Sequence, residues 1–298
     1  MDNVTKIAKK TISVIIPVFN GENTIERCLY SLGSQTISAD EIIVVDSSND
    51  RTPSIVREKF PNIHFIHLNK KTDAGRARNI GIEKATGRII AFTDADCIAD
   101  RKWIENIKKA HSKADVVGGC VKNGNPWKII GWASYLMEFT NVLPDSKARL
   151  EKHLPTCNIS FKRRIFDEHG TFQDGWWPAE DRIFSYTIRA KGEKIVFDPS
   201  IQIKHINRSS LNSFIKHQIV LGKISALCGK KFQNMESRRF VENKILALTY
   251  PIGKCGMIAL RLLKRGKKYS PIALLVSPLF FLGISLWGFA FIREAYKK

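Results

Sequence analysis

Residues 11–121 repeat one pattern, and that pattern leaves few folds open. Thr11–Pro17 (TISVIIP) and Glu41–Asp46 (EIIVVD) are short runs rich in β-branched apolar residues, without the alternation that would leave one face to water. Strands of this kind have to be covered on both faces. Between them, Thr24–Ser34 sets Ile25, Cys28, Leu29 and Leu32 at helical spacing. The alternation continues. Asp50 or Thr52 can cap a helix running to Phe60, Ile63–Leu68 is a third strand, and Ala74–Ala85 is a helix closed by Gly87. Arg88–Thr93 (RIIAFT) is a fourth strand, Asp100 can cap a helix over Lys102–Ser112, and Val116–Val121 is a fifth strand. Strand and helix in turn make βαβ units, so the fold class is α/β with a mainly parallel sheet. Ligands bind such sheets at the carboxyl ends of the strands. Asp46 ends the second strand, and Asp94 and Asp96 follow the fourth, so all three acids fall on the ligand side.

The remainder is less regular. Trp127–Leu143 is apolar and reads as a helix, Thr156–Lys162 as a strand, Glu180–Lys191 as a helix, and Lys194–Phe197 and Ile201–Ile206 as strands. Leu211–Leu227 is amphipathic, with Lys216, Lys223 and Lys230 along one stripe. Pro271–Ile292 carries no charge, and its 22 residues would span roughly 33 Å as a helix, enough for a hydrocarbon core of roughly 30 Å. A buried core helix, or a re-entrant segment kinked at Pro278, is the alternative. Upstream, Lys254, Arg261 and Arg265 form a basic stripe on an apolar segment, as on a helix lying in a membrane interface. Both flanks of the apolar run are basic, so its orientation stays open.

A formal net charge of +20 calls for anionic partners. The basic residues of the C-terminal third lie beside apolar runs, which points to a membrane surface with anionic lipid. No zinc-finger spacing or RNP-like motif is present, so nucleic acid is not an expected partner. The six cysteines form no CxxC pair and read as small buried residues in a reducing compartment. Residues 1–10 contain no apolar stretch, so no signal peptide is expected and the catalytic domain is placed in the cytoplasm. Asn158 and Asn207 head glycosylation sequons that such a compartment leaves unmodified.

The strongest chemical signal is Phe92-Thr-Asp94-Ala-Asp96. Two carboxylates at i and i+2 on a loop can face one hard cation, which takes oxygen ligands and keeps substrate phosphate as another. Alone, such a pair also describes a solvated turn at a strand end. Here it has company. SVIIPVFNGENTIERCLYSL, EIIVVDSSNDRT, AGRARNIGIEKATGRIIAFTDADC and AEDRIFSYTIRAKGEKIVFDPSIQIKH occur in that order. Over about residues 11–210 this arrangement resembles family-two glycosyltransferases, whose catalytic domain has the Rossmann-like GT-A fold.

The resemblance implies roles. Pro17, Val18 and Asn20 would line the base pocket, with Glu22 near the ribose. Asp46 would accept a hydrogen bond from the nucleobase, and Arg78 would meet the base or the diphosphate. Asp94 would lie against ribose and metal, Asp96 would bind the metal, and His205 would sit on the metal or the diphosphate. Asp181 would be the general base, with Glu180 orienting the acceptor. Taken singly each residue has a plainer reading: Asp46 as a cap, Arg78 on a helix surface, His205 as a satisfied histidine, and Glu180-Asp181 as dipole partners at a helix start. Trp176-Trp177 offers flat faces to a sugar or to the core.

The expected activity is inverting, metal-dependent transfer of one sugar, with magnesium or manganese, from a nucleotide-sugar that the family makes most often UDP-linked. The acceptor would be a glycan at the membrane, such as a polyprenyl phosphate or lipid-linked saccharide in glycan biosynthesis, its phosphate suited to the lysine stripe. No QxxRW motif occurs, which favours non-processive transfer. The expected organisation is an N-terminal extension (1–10), a catalytic domain (11–232) with a nucleotide-sugar half (about 11–121) and an acceptor half (about 122–232), and a basic interfacial and transmembrane tail (233–298). Two alternatives belong to other classes. A non-catalytic nucleotide-binding membrane adaptor would lack a key carboxylate, and all are present. A sugar-phosphate nucleotidyltransferase would carry a basic Gly-rich loop after strand one, where this chain reads Val18-Phe-Asn-Gly-Glu-Asn.

Overall fold

The structure, a computed structural model, describes residues 11–144 and 146–297; the N-terminal extension lies outside them. Its frame is a nine-stranded mixed sheet. Strands β1 (Ile12–Val18), β2 (Glu41–Asp46), β3 (His64–His67) and β4 (Ile89–Phe92) pair in parallel in the order β3-β2-β1-β4. Helices α1 (Ile25–Gly33), α2 (Thr52–Lys59) and α3 (Ala74–Lys84) make the crossovers. All seven residues of β1 are buried, as a strand covered on both faces requires. Gly87 does not close α3, which ends with Ala85 in an extended conformation. Its glycine has a packing reason instead: a Cβ there would lie 2.6 Å from the Ser13 backbone nitrogen.

Beyond β4 the sheet turns antiparallel. The next elements are β5 (Cys97–Ala99), α4 (Trp103–Ala110), β6 (Val116–Asn123), α5 (Ile129–Glu138), β7 (Arg149–Glu151) and β8 (Ile159–Lys162). They are followed by α6 (Arg164–His169), α7 (Glu180–Ala190) and β9 (Ile195–His205). β8 runs antiparallel between β4 and β6, and β9 pairs in parallel with β6. The two strands expected over 194–206 are one strand with a bulge, because the register on β6 steps from Asp198 to Gln202 between Gly119 and Cys120. β5, unexpected from sequence, closes the edge antiparallel to β9 and sets Cys97 opposite His205. On α7, Phe184 packs against Phe161, Phe166 and Phe172 at ring separations of 5.1–5.7 Å, which anchors the helix that carries Glu180 and Asp181.

Both sequon asparagines are buried, and the Asn158 amide is spent on Trp103, Cys120 and Ile201. Cys28, Cys97, Cys120, Cys157 and Cys228 are buried free thiols, in keeping with the packing role read from the sequence.

Among the described residues β9 is followed by α8 (Leu211–Lys231), and the tail beyond it holds α9 (Arg238–Glu242), α10 (Lys244–Arg265), α11 (Ser270–Leu275) and α12 (Ser277–Tyr296). The apolar run expected as one span breaks at Val276, and Pro278 sits in the first turn of α12, where its missing N–H costs nothing. α12 lies against α8 so closely that a Cβ on Gly222 would meet the Trp287 carbonyl oxygen at 2.1 Å. Trp287 and Phe291 are buried there with Ala226 and Ala247. Lys230 Nζ donates to the carbonyls of Glu294 and Lys297, at 2.6 and 2.8 Å, satisfying acceptors at the end of α12. Lys216 and Lys223 are exposed, and none of the three lysines lines the cleft described below.

By length and composition, Lys244–Lys264 and Ser277–Tyr296 are each able to cross a membrane. Ile245, Ile252, Leu274 and Phe289 on this tail are 65–77% exposed, an outward apolar surface of the kind that marks an interaction site. The close α8–α12 approach yields a prediction. Gly222→Val should cost about 1–3 kcal/mol and speed amide exchange in α12 while β1–β4 keep their protection; unchanged exchange in α12 would contradict this packing.

Candidate active site

A cleft of about 820 Å³ opens over the carboxyl ends of the parallel strands. Pro17, Val18, Asn20, Arg78, Asp94, Asp96, Glu180, Asp181 and His205 all line it, drawn from both halves of the chain. Asn20 turns the chain out of β1 with φ 53°, a left-handed conformation that asparagine tolerates. Its N–H donates to Ser48 Oγ at 2.7 Å and its Oδ1 accepts from the Asn49 N–H at 3.1 Å, so the turns after β1 and β2 brace each other.

Two expected donor residues lie elsewhere. Asp46 is fully enclosed: one carboxylate oxygen is 2.5 Å from His67 Nδ1 and the other accepts from the Ser48 N–H. For Asp46 to accept a hydrogen bond from a nucleobase, one of its oxygens has to become exposed. Glu22 is outside the cleft lining and accepts from the Arg51 backbone N–H and Nε, both at 3.2 Å.

Arg78 is no surface residue. It sits on α3, whose start is capped by Asp73 accepting from the Arg76 N–H, and only 3% of its side chain is exposed. Its guanidinium donates 2.6 Å to Glu180 Oε1 and 2.7 Å to Asp94 Oδ1, joining the DxD turn to the start of α7. Burial opposes its charge, but Asp94 and Glu180 more than compensate and hold the guanidinium more firmly protonated than usual. Arg78 Nε and Glu180 Oε2 are buried without a hydrogen-bond partner among the described residues.

Asp181 is held differently. Its oxygens accept from backbone N–H groups, Arg182 at 2.6 Å and Thr156 at 3.4 Å, and it makes no ion pair among the described residues. Burial raises both the Glu180 and the Asp181 carboxyls above their ordinary range, with Arg78 pulling the other way.

β5–β9 pairing brings the other end of the DxD turn to His205, and the Ile206 N–H donates to the Asp96 carbonyl at 2.9 Å. His205 Nε2 lies 3.5 Å from Asp96 Oδ1. The tautomer follows from the neighbours. Asn207 Nδ2 donates to the His205 carbonyl and to Asn123 Oδ1, so Asn207 Oδ1 is left as acceptor for His205 Nδ1–H at 3.1 Å. Nε2 then presents a lone pair to a carboxylate, two acceptors facing one another. Asp96, 41% exposed, and His205 therefore fit a cation between them, and this nitrogen–oxygen set with an orienting amide behind the imidazole suits a divalent metal.

Sequence reasoning missed Asn207, Glu138, Arg208 and His217. Glu138 ends α5 and pairs with His217 at 3.3 Å and Arg208 at 3.7 Å. Although burial works against it, these partners hold its carboxyl down to about 2. The short spacing His205-Ile-Asn207-Arg208 at a strand end was the signal available. Of the tryptophan pair, Trp177 is 46% exposed and lines the cleft, whereas Trp176 packs on Phe232 at 4.8 Å.

Comparison with known proteins bears on this arrangement. Residues 13–170 match the family model described as Glycosyl transferase family 2. The glycosyltransferase AglE of Haloferax volcanii is 32% identical over 220 residues, covering 71% of this chain and 72% of that protein. A Methanococcus voltae protein named dolichyl N-acetyl-alpha-D-glucosaminyl phosphate 3-beta-D-2,3-diacetamido-2,3-dideoxy-beta-D-glucuronosyltransferase is 26% identical over 239 residues, 74% of each chain. Among solved structures, the mannosyltransferase PcManGT from Pyrobaculum calidifontis, in complex with GDP-Man and Mn2+, has a TM-score of 0.64 at 20% identity over 96% of this chain and 87% of that one. The fold is GT-A, and the chain belongs to glycosyltransferase family 2.

Proposed function

We propose that this glycosyltransferase moves one sugar from a nucleotide-sugar, a UDP-sugar first, onto a hydroxyl of a membrane-held, lipid-linked acceptor, with inversion at the anomeric carbon. The observation that carries the reading is the division of labour among the cleft carboxylates. Asp94 and Glu180 are tied to Arg78, Asp96 faces His205, Glu138 is held by His217, and Asp181 alone of these rests on backbone N–H groups with no cation on its oxygens. That leaves Asp181 to take the proton from the acceptor hydroxyl as its oxygen bonds to the anomeric carbon and the bond to the diphosphate breaks. One base and one displacement give inversion. Glu180, with Oε2 unpaired, orients the acceptor hydroxyl. Pro17, Val18 and Asn20 support the base. When bound at Asp96 and His205, with Asp94 beside them, a divalent cation would supply positive charge against the leaving diphosphate. An imidazole in the ligand set favours manganese over magnesium.

The proposed organisation is a catalytic domain over 11–232 and a tail over 233–298. The outward apolar residues of α10, α11 and α12 support membrane association; we place the catalytic domain on the cytoplasmic side. Because α12 is packed along α8, we propose that the tail lies in the plane of the interface and is not an upright span.

Asp181→Asn tests the central assignment. It should lower kcat roughly 10²–10⁴-fold while donor binding stays unchanged; undiminished transfer would remove Asp181 from the base role. The pH profile carries a sign. The base acts deprotonated and burial raises its pKa, so kcat should fall on acidification with a midpoint above that of an ordinary aspartate; a midpoint at or below the ordinary aspartate range speaks against a raised base. Asn207→Ala frees the imidazole to rotate or change tautomer, and should weaken manganese binding about 10–100-fold, read by metal titration. Manganese affinity equal to that of the unaltered protein would exclude His205 as an oriented ligand.

A further inference from the structure

Cys97 stands beside the reaction centre without a part in the reaction described above. It opens β5 directly opposite His205 on β9, and opposite residues of an antiparallel pair send their side chains to the same face. Asp96 precedes it in the turn. The Cys97 sulfur, a ring nitrogen of His205 and a carboxylate oxygen of Asp96 all lie within 4.8 Å of one another. Cys97 and His205 are buried, at 1% and 8% exposure, while Asp96 lines the cleft. A packing position alone asks for a small apolar side chain and has no need of sulfur next to a carboxylate and an imidazole.

The spacing is that of a coordination shell. A tetrahedral cation about 2.3 Å from sulfur and about 2.0–2.1 Å from nitrogen and oxygen holds sulfur and oxygen about 3.5 Å apart, and nitrogen and oxygen about 3.3 Å apart. Cys97 Sγ is 3.7 Å from Asp96 Oδ1, and His205 Nε2 is 3.5 Å from the same oxygen. Nor are these atoms well used as they stand. The thiol reaches Asp96 only across that long contact, and His205 Nε2, with its tautomer set by Asn207, offers a lone pair to a carboxylate. Without a cation, burial and the neighbouring Cys157 thiol keep the Cys97 thiol protonated. A coordinating divalent cation displaces that proton to solvent, and sulfur binds as thiolate.

Sulfur changes which cation the site prefers. Thiolate and imidazole favour zinc and cobalt, whereas magnesium takes oxygen ligands and demands an octahedron. Three protein ligands with one position open is the pattern of a catalytic zinc site, not of a closed structural one. We propose that Cys97 is a third protein ligand beside Asp96 and His205, and that its sulfur makes this a site for a thiophilic divalent cation of the zinc class, held more tightly than manganese or magnesium. The open position is left to water or to a phosphate oxygen. The proposal rests on the Asp96–His205 metal site and adds sulfur to it.

The test uses the full chain in an uncharged detergent, with its thiols kept reduced by a phosphine, and needs no turnover. One equivalent of cobalt(II) is added to the unaltered protein and to Cys97→Ser, Cys157→Ser and Cys255→Ser, with thermal unfolding reporting that each is folded. The unaltered protein should gain the near-ultraviolet absorption of sulfur-to-cobalt charge transfer. Cys97→Ser should bind cobalt without that band, and the other two variants should keep it. Zinc affinity should fall about tenfold or more in Cys97→Ser, with manganese affinity nearly unchanged. X-ray absorption of the zinc-loaded unaltered chain needs no variant: it should show a sulfur at about 2.3 Å. Cobalt bound without the band, a band that survives Cys97→Ser, or a zinc shell of nitrogen and oxygen only overturns Cys97 as ligand and leaves Asp96 and His205 standing. Folded protein that binds neither cobalt nor manganese overturns the metal site itself, and this proposal with it.

Discussion

The cleft depends on one buried cation. Arg78 is enclosed by protein and donates to Glu180 from one arm of its guanidinium and to Asp94 from the other. A buried charge is tolerated only when paired and hydrogen-bonded, and removing one partner leaves an uncompensated charge inside the protein. This bridge therefore fixes the distance between the turn after β4 and the start of α7, residues separated by more than 80 positions in the chain. The aromatic packing around Phe184 holds α7 from below, and the Asp73 cap holds α3. With those two supports Asp94 and Asp96 on the DxD turn and Asp181 at the start of α7 line one cleft.

A second constraint works at the other end of the DxD turn. Three residues of β5 pair with the end of β9 and bring Asp96 to His205. The amide of Asn207, itself fixed by Asn123 and the His205 carbonyl, then determines which imidazole nitrogen carries hydrogen. Backbone pairing sets the position and a side-chain amide sets the tautomer. Together they bring a carboxylate and a histidine from distant parts of the sequence to 3.5 Å of one another.

Much of this was legible beforehand, for physical reasons. β2 is bounded as read, because an apolar β-branched run flanked by polar residues has only one way to be buried. The DxD turn was placed by the strand before it. The parts that were not legible are those decided by distant partners. β5 is too short for any period to show, and it exists because β9 supplies its hydrogen bonds. Arg78 looks like any helix arginine until Asp94 and Glu180 close on it. The stripe of Lys254 and Arg261 shows that both lie on one helix face but not which way that face turns; the outward reading was the wrong one. The break at Val276 was open to reading from Pro278, yet the docking of α12 on α8 depends on a glycine 65 residues upstream of Trp287.

The account is tested most directly by calorimetric titration of UDP, GDP and their sugar conjugates into the detergent-solubilised chain, with manganese and then with chelator. It predicts that one nucleotide binds with manganese, that chelator abolishes the heat, and that Asp96→Ala behaves as the chelated protein does. Folded protein that binds no nucleotide under any of these conditions, or binds one equally well with chelator, would contradict the cleft's assignment as a metal-dependent nucleotide-sugar site.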